Sequence, residues 1–116
     1  MKKRVYICAP LGGNIRANIE NAKDYTRYAL QCDAAPVTPH LYALCLDDPT
    51  HAEQELIMNA GMSLLWFCDE LWVFGEDMTD SMRTAISFCQ TMRLPIRRIE
   101  SYQVYQYLKK GKKKRS

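Results

Sequence analysis

Cys68-Asp69-Glu70-Leu71-Trp72-Val73-Phe74-Gly75 is the stretch on which the fold turns. Glu70–Phe74 is a short, continuous apolar run, rich in aromatic and β-branched residues and closed by Gly75. Such a run predicts a strand buried on both faces, as in parallel sheets covered by helices. Val5-Tyr6-Ile7-Cys8-Ala9 has the same character and stops at Pro10, Gly12 and Gly13. Leu94–Ile99 reads as a further strand, and Ala35–His40 as a weaker one interrupted by Pro36 and Pro39.

Between these runs the apolar period changes to that of helices. Ile15, Ile19, Ala22 and Ala29 predict a helix to about Gln31, with Asn14 as its N-cap. Leu56, Ile57, Ala60, Leu64, Leu65 and Cys68 predict the inner face of a second helix from His51 to Cys68, after a loop over 41–50. Met82, Ile86 and Cys89 predict a third helix to about Arg93, following the polar loop Glu76–Asp80. A last helix, Ser101 to about Lys110, carries Tyr102, Tyr105 and Leu108 on one side. The β-α-β-α-β-α-β-α order implies one doubly wound, Rossmann- or flavodoxin-like α/β domain over residues 1–108. Its parallel sheet has four to five strands joined by right-handed crossovers. Ligands of such sheets bind beyond the carboxyl ends of the strands, where strand order reverses. Three loops are expected there: Pro10–Asn14, His40–Tyr42 and Gly75–Ser81.

A chain of 116 residues suits one domain. The net charge of +3 conceals an uneven distribution: residues 109–116 hold six Lys and Arg and no acid, which leaves residues 1–108 at −3. A nucleic-acid binder carries its basic patch on the folded surface. A basic tail such as 109–116 is expected to be solvated and disordered. The five cysteines (Cys8, Cys32, Cys45, Cys68 and Cys89) form no CxxC pair and read as reduced thiols of a cytoplasmic protein. With only His40 and His51 to join them, neither a metal nor a cofactor is expected. No run reaches the ~18–20 apolar residues of a membrane span. The basic start Met1–Arg4 precedes too short an apolar stretch for a signal peptide.

The candidate binding residues follow from the loops. In Ala9–Asn14 the glycines Gly12 and Gly13, after Pro10, let the backbone approach a ligand, and the free amides opening the next helix favour an anion. A plain turn would need the same residues. Arg16, one turn into that helix, could supply a cation or be simply exposed. Gly75 ends the diagnostic strand. Beyond it, Thr79, Ser81 and Met82 open a helix whose amides and hydroxyls suit a phosphate or ribose oxygen, although capping by Thr79 or Asp80 explains them equally. His40, at a strand end, is either a ligand contact or a packed histidine. Asp69 sits at the other end of its strand, where it caps the second helix or the strand entry.

Val5-Tyr6-Ile7-Cys8-Ala9-Pro10, the Cys68–Gly75 stretch and the helix start Thr79–Ile86 together resemble the nucleoside 2-deoxyribosyltransferase-like superfamily over about residues 4–99. The match is nearest to short bacterial and phage members with a CDELWVFG strand and a PHL segment, here Pro39-His40-Leu41. The resemblance implies N-glycosidic chemistry on deoxynucleosides or their 5′-monophosphates, within homo-oligomers. In such enzymes a glutamate on the first turn of the third helix meets the oxocarbenium-like sugar carbon. Tyr6 matches a tyrosine beside that glutamate, and Thr79 a serine that holds the 5′-phosphate. The glutamate position is Ala85, however, and Ser81 replaces a glycine. Gly12 stands where an arginine is common, with Arg16 as the possible compensation. A second acid has no match near Ala60-Gly61.

The expected function is therefore binding of a nucleotide or phosphorylated ribose without cleavage. An active enzyme with a relocated carboxylate (Asp80, Glu76 or Asp77, with Tyr6) is the alternative. An oligomeric accessory protein, using Trp66, Trp72 and the tyrosines of the last helix, is a third reading. Nucleic acid and membrane are not expected partners.

Overall fold

A computed structural model describes the backbone of residues 1–115 and the side chains of residues 1–109. The strands are β1 (Arg4–Cys8), β2 (Ala35–Val37), β3 (Glu70–Phe74) and β4 (Ile96–Ile99), and the helices α1 (Ile15–Gln31), α2 (His51–Leu65), α3 (Asp80–Met92) and α4 (Ser101–Arg115). The expected basic tail lies, apart from Lys109, outside the described side chains. All strands are parallel in the order β2-β1-β3-β4, the doubly wound arrangement expected, with four strands. The chain turns outward from β1 to β2 and then crosses back to β3. The switch point thus lies between the carboxyl ends of β1 and β3.

Strand alternation sorts the core into two layers. Val5, Ile7, Ala9, Trp72 and Phe74 face α1 and α4, where Tyr28, Ala29, Val104 and Leu108 cover them. Tyr6, Cys8, Leu71 and Val73 face α2 and α3 and meet Leu65, Met82, Ala85 and Cys89. Trp72 is consequently buried in the centre of the sheet and offers no interface. Asp69 guards the strand entry: its carboxylate accepts the Arg4 backbone N–H at 2.8 Å, a bond that lowers its pKa.

Residues 39–45, expected as strand end and loop, form a 3₁₀ helix, Pro39–Cys45. Pro39 presets the φ angle of its first turn. A three-residue period leaves none of the 3.6-residue signature by which longer helices are read. On α2 only Ile57, Gly61 and Leu65 are buried; Leu56, Ala60 and Leu64, expected inward, are exposed. The helix meets the body along one narrow i, i+4, i+8 stripe, which its central glycine lets come close. Likewise α4 docks through Val104 and Leu108, leaving Tyr102 and Tyr105 in solvent.

Candidate functional site

Three helix starts converge on the carboxyl rim of the sheet, each capped by its own sequence. The Asn14 side chain accepts from Ala17 N at the head of α1. Thr50 and Glu53 form a reciprocal capping box on α2. Thr79 Oγ1 accepts from Met82 N at 3.3 Å on α3, so its hydroxyl hydrogen remains free to donate. Beyond these caps the first-turn amides have no intrahelical acceptor, and a helix N-terminus carries about half a positive charge. These helix starts direct partial positive charge toward the rim.

Between the helix starts opens a cleft of about 350 Å³, lined by Leu11 and Gly12 from the β1–α1 loop, His51, Gln54, Glu55 and Met58 from α2, and Thr79, Asp80 and Ser81 from α3. It brings together Gly12, Thr79, Asp80 and Ser81, the core of the expected site. The α2 side was not foreseen. His51, Gln54 and Glu55 read as surface positions of an amphipathic helix, and the legible signal was the capping box that fixes where α2 begins. Gln54 Nε2 donates to Pro49 O at 3.2 Å, and its Oε1 lies 3.1 Å from where a Cβ on Gly12 would stand. Any larger residue at Gly12 would press on that amide. His51 Nδ1 stands 3.7 Å from Glu55 Oε1. Asp80 is exposed and salt-bridged to Arg83 at 2.8 Å.

The remaining expected residues are distributed differently. Pro10 and Gly75 line a second, smaller pocket on the α1 side of the rim, with Asn18, Asn21, Tyr25, Glu76, Asp77 and Ser101. Gly75, at φ +79°, makes the turn out of β3. Glu76 and Asp77 thus belong to the other pocket. Gly13 and Arg16 are exposed, and neither lines the cleft. Its lining residues include no Lys or Arg, so an anion in it would be held by amides and hydroxyls. The His40–Tyr42 segment turns away. His40 is fully buried, donating from Nε2 to Ala9 O at 2.7 Å, and burial lowers its pKa. It props the end of β1 instead of meeting a ligand.

Met82 and Ala85 are buried under α3 beside Tyr6 and Cys8. Asp80, five residues earlier, is exposed, so the two do not share one surface. Burial pushes the Cys8 thiol up to about 12, which removes it as a nucleophile near neutral pH. The Tyr6 hydroxyl is likewise raised by burial and has no hydrogen-bond partner, nor has His40 Nδ1. At Gly61 an added Cβ would stand 2.3 Å from Pro39 Cγ and 2.7 Å from Tyr6 Oη. No side chain fits there without displacing them.

A parallel four-stranded α/β sheet with an open cleft at its strand-order reversal defines a Rossmann-like protein. Within that class the chain belongs to the family described as Domain of unknown function (DUF7768), whose model matches residues 3–99. No curated protein matches it. Its fold is shared with a 2-deoxyribosyltransferase from the psychrotolerant bacterium Bacillus psychrosaccharolyticus, at TM-score 0.63 and 8% identity, over 84% of this chain and 72% of that one. A conserved protein from Enterococcus faecalis V583 has the same TM-score of 0.63 at 16% identity, over 84% of this chain. The chain spans 63% of that second protein. Among the described residues no helix is long and apolar enough to cross a membrane.

Proposed function

We propose that the protein binds a nucleotide or a related phosphorylated ribose in the rim cleft and does not cleave it. One observation carries the second half of this reading. The position that matches the glutamate of the resembled enzymes is Ala85, which is buried, and their second acid has no match near Ala60-Gly61, where Pro39 and Tyr6 leave no room for a side chain on Gly61. The first half is supported by Gly12, Thr79 and Ser81 sharing a cleft with the open amides of α2 and α3. The sugar-phosphate is held by backbone N–H groups and the Thr79 and Ser81 hydroxyls, and Gln54 offers its amide to the rest of the molecule. On this reading the protein is a cytoplasmic member of the short deoxyribosyltransferase-like branch. Its partners are the small ligand and further copies of itself, with no role for nucleic acid.

The presence of two carboxylates in the cleft, Glu55 and Asp80, favours a second reading, an N-glycosidase or deoxyribosyltransferase with a displaced acid. Both readings meet one experiment. Deoxynucleoside monophosphates should raise the melting temperature, since a ligand at 100 times its Kd stabilises the folded state by about 2.7 kcal/mol. Ser81→Glu should abolish the shift, and chromatography should detect no free base. A melting temperature unmoved by any nucleotide overturns the binding reading. Base release that disappears in Asp80→Ala or Glu55→Ala establishes the enzyme.

A further inference from the structure

The pocket on the α1 side of the rim differs in chemistry from the cleft. About 120 Å³ in volume, it is walled chiefly by Asn18, Asn21, Tyr25, Glu76, Asp77 and Ser101, with no Lys or Arg. Its open groups are mostly acceptors. Asn18 Nδ2 donates to Leu11 O at 3.1 Å and Gly12 O at 2.8 Å, which leaves that side chain its Oδ1. Ser101 Oγ donates to Glu76 Oε2 at 3.2 Å; Glu76 Oε1 and the Asp77 carboxylate belong to exposed residues. Burial above all, then the charges of Tyr105 and Glu76, keep the Tyr25 hydroxyl protonated. Arg98 reaches the turn but is committed to Gly75 O, at 2.5 Å, and to Glu100, at 3.6 Å. Two carboxylates in such a pocket repel an anion and favour a group that donates hydrogen bonds.

The two cavities adjoin along the same two loops. Pro10 lines this pocket and Gly12 the cleft; Asp77 lines this pocket and Thr79 the cleft. Residues two apart in a chain stand at most ~7 Å from each other. That is the scale of a single furanose ring with a phosphate on its 5′ carbon. The Asn18 amide, bonded to the Leu11 and Gly12 carbonyls, ties the wall of one cavity to that of the other. We infer that one ligand bridges both, its 5′-phosphate in the cleft and the 2′,3′-diol of an intact ribose in the α1-side pocket. This rests on the binding reading above and narrows it to ribose, in contrast to the 2-deoxyribose of the resembled enzymes. The two oxygens of a carboxylate can accept from the two adjacent hydroxyls of a diol. An acidic residue holds the ribose hydroxyl in the same way in dinucleotide-binding sheets. Asp77 takes that role here, because Glu76 already accepts from Ser101. The reverse orientation would set the phosphate against both carboxylates.

Titration calorimetry on the full chain tests it with matched pairs of small molecules. The pairs are AMP, GMP, CMP and UMP, each against its 2′-deoxy form, and ribose 5-phosphate against 2-deoxyribose 5-phosphate. In every pair that binds, the ribose compound should be tighter by roughly 10-fold. That factor corresponds to about 1.4 kcal/mol, close to one hydrogen bond with a charged group. Asp77→Ala should bring the ratio near one. Circular dichroism should show this variant folded, since Asp77 is exposed in a loop. Equal affinities within the pairs, or tighter binding of the deoxy compounds, overturn the inference and leave the binding reading standing. So does a preference for ribose that survives Asp77→Ala. Binding by no member of any pair overturns both together.

Discussion

The two faces of the sheet are packed by different rules. On the α1/α4 face the sheet is tiled with rings: Tyr25 stacks on Phe74 with centroids 4.4 Å apart, and Tyr28 sets its edge against both Trp72 and Phe74. Arg97 lies over the Trp72 ring at 5.1 Å, while Trp72 Nε1 donates to Glu70 and Tyr107 Oη to Gln31 O. The polar ends of Trp72 and Tyr107 thus reach partners. On the α2/α3 face the filling is aliphatic, small or sulfur-bearing: Leu65, Leu71, Val73, Cys8, Cys68, Met82, Ala85, Cys89 and Gly61. There the Tyr6 hydroxyl is buried without a partner. One face is committed to holding the fold. The other tolerates small residues and an unmet hydroxyl.

Substitutions can break or sharpen this contrast. The largest effect is expected from Phe74→Ala, which empties the centre of the aromatic layer and should cost about 3–5 kcal/mol in denaturant unfolding. A loss under 1 kcal/mol would mean that the aromatic face is not the stabilising one. Gly61→Ala should cost about 1–3 kcal/mol by the same measurement, because Pro39 and Tyr6 must shift to admit the methyl group. Tyr6→Phe should leave stability unchanged or raise it by about 1 kcal/mol, since it deletes a buried hydroxyl that bonds to nothing. A comparable loss would reveal a partner and erase the difference between the faces.

The smallest expected effect is one of pH. Burial holds the His40 pKa below its ordinary value, outweighing the opposite pull of the Ala9 carbonyl. The unfolded chain takes up this proton near pH ~6.5, whereas the folded chain resists until lower pH. The melting temperature should therefore be flat above about pH 6.5 and decline below it, and His40→Gln should flatten that decline. The carboxylates with depressed pKa, Asp69 and Glu70, add their own loss only below about pH 4, well separated from the histidine.

Much of this was legible in the sequence. The unalternating runs Val5–Ala9 and Glu70–Phe74 announce strands buried on both faces, and alternation with helical segments assigns them to a parallel sheet under two helical layers. Asn14 and Thr79 mark helix starts because a capping side chain acts on amides two or three residues away. Gly12, Thr79, Asp80 and Ser81 could be named as neighbours because in a doubly wound sheet the loops after β1 and β3 share one rim. Periodicity and caps are local, and local physics reads directly from the order of residues.

What the tertiary structure decided is which neighbour each surface meets. Leu56 and Ile57 adjoin in sequence and are both apolar, yet one is exposed and the other buried, because α2 rests on a single narrow stripe. His40 could have faced a ligand but instead closes on the Ala9 carbonyl, since the 3₁₀ helix turns it inward. Trp72 could have formed an interface but lies beneath Tyr28. His51, Gln54 and Glu55 entered the cleft only because α2 begins where the β1 and α3 loops end. Each of these outcomes depends on contacts between residues far apart in the chain. Their geometry exists only once the layers have packed.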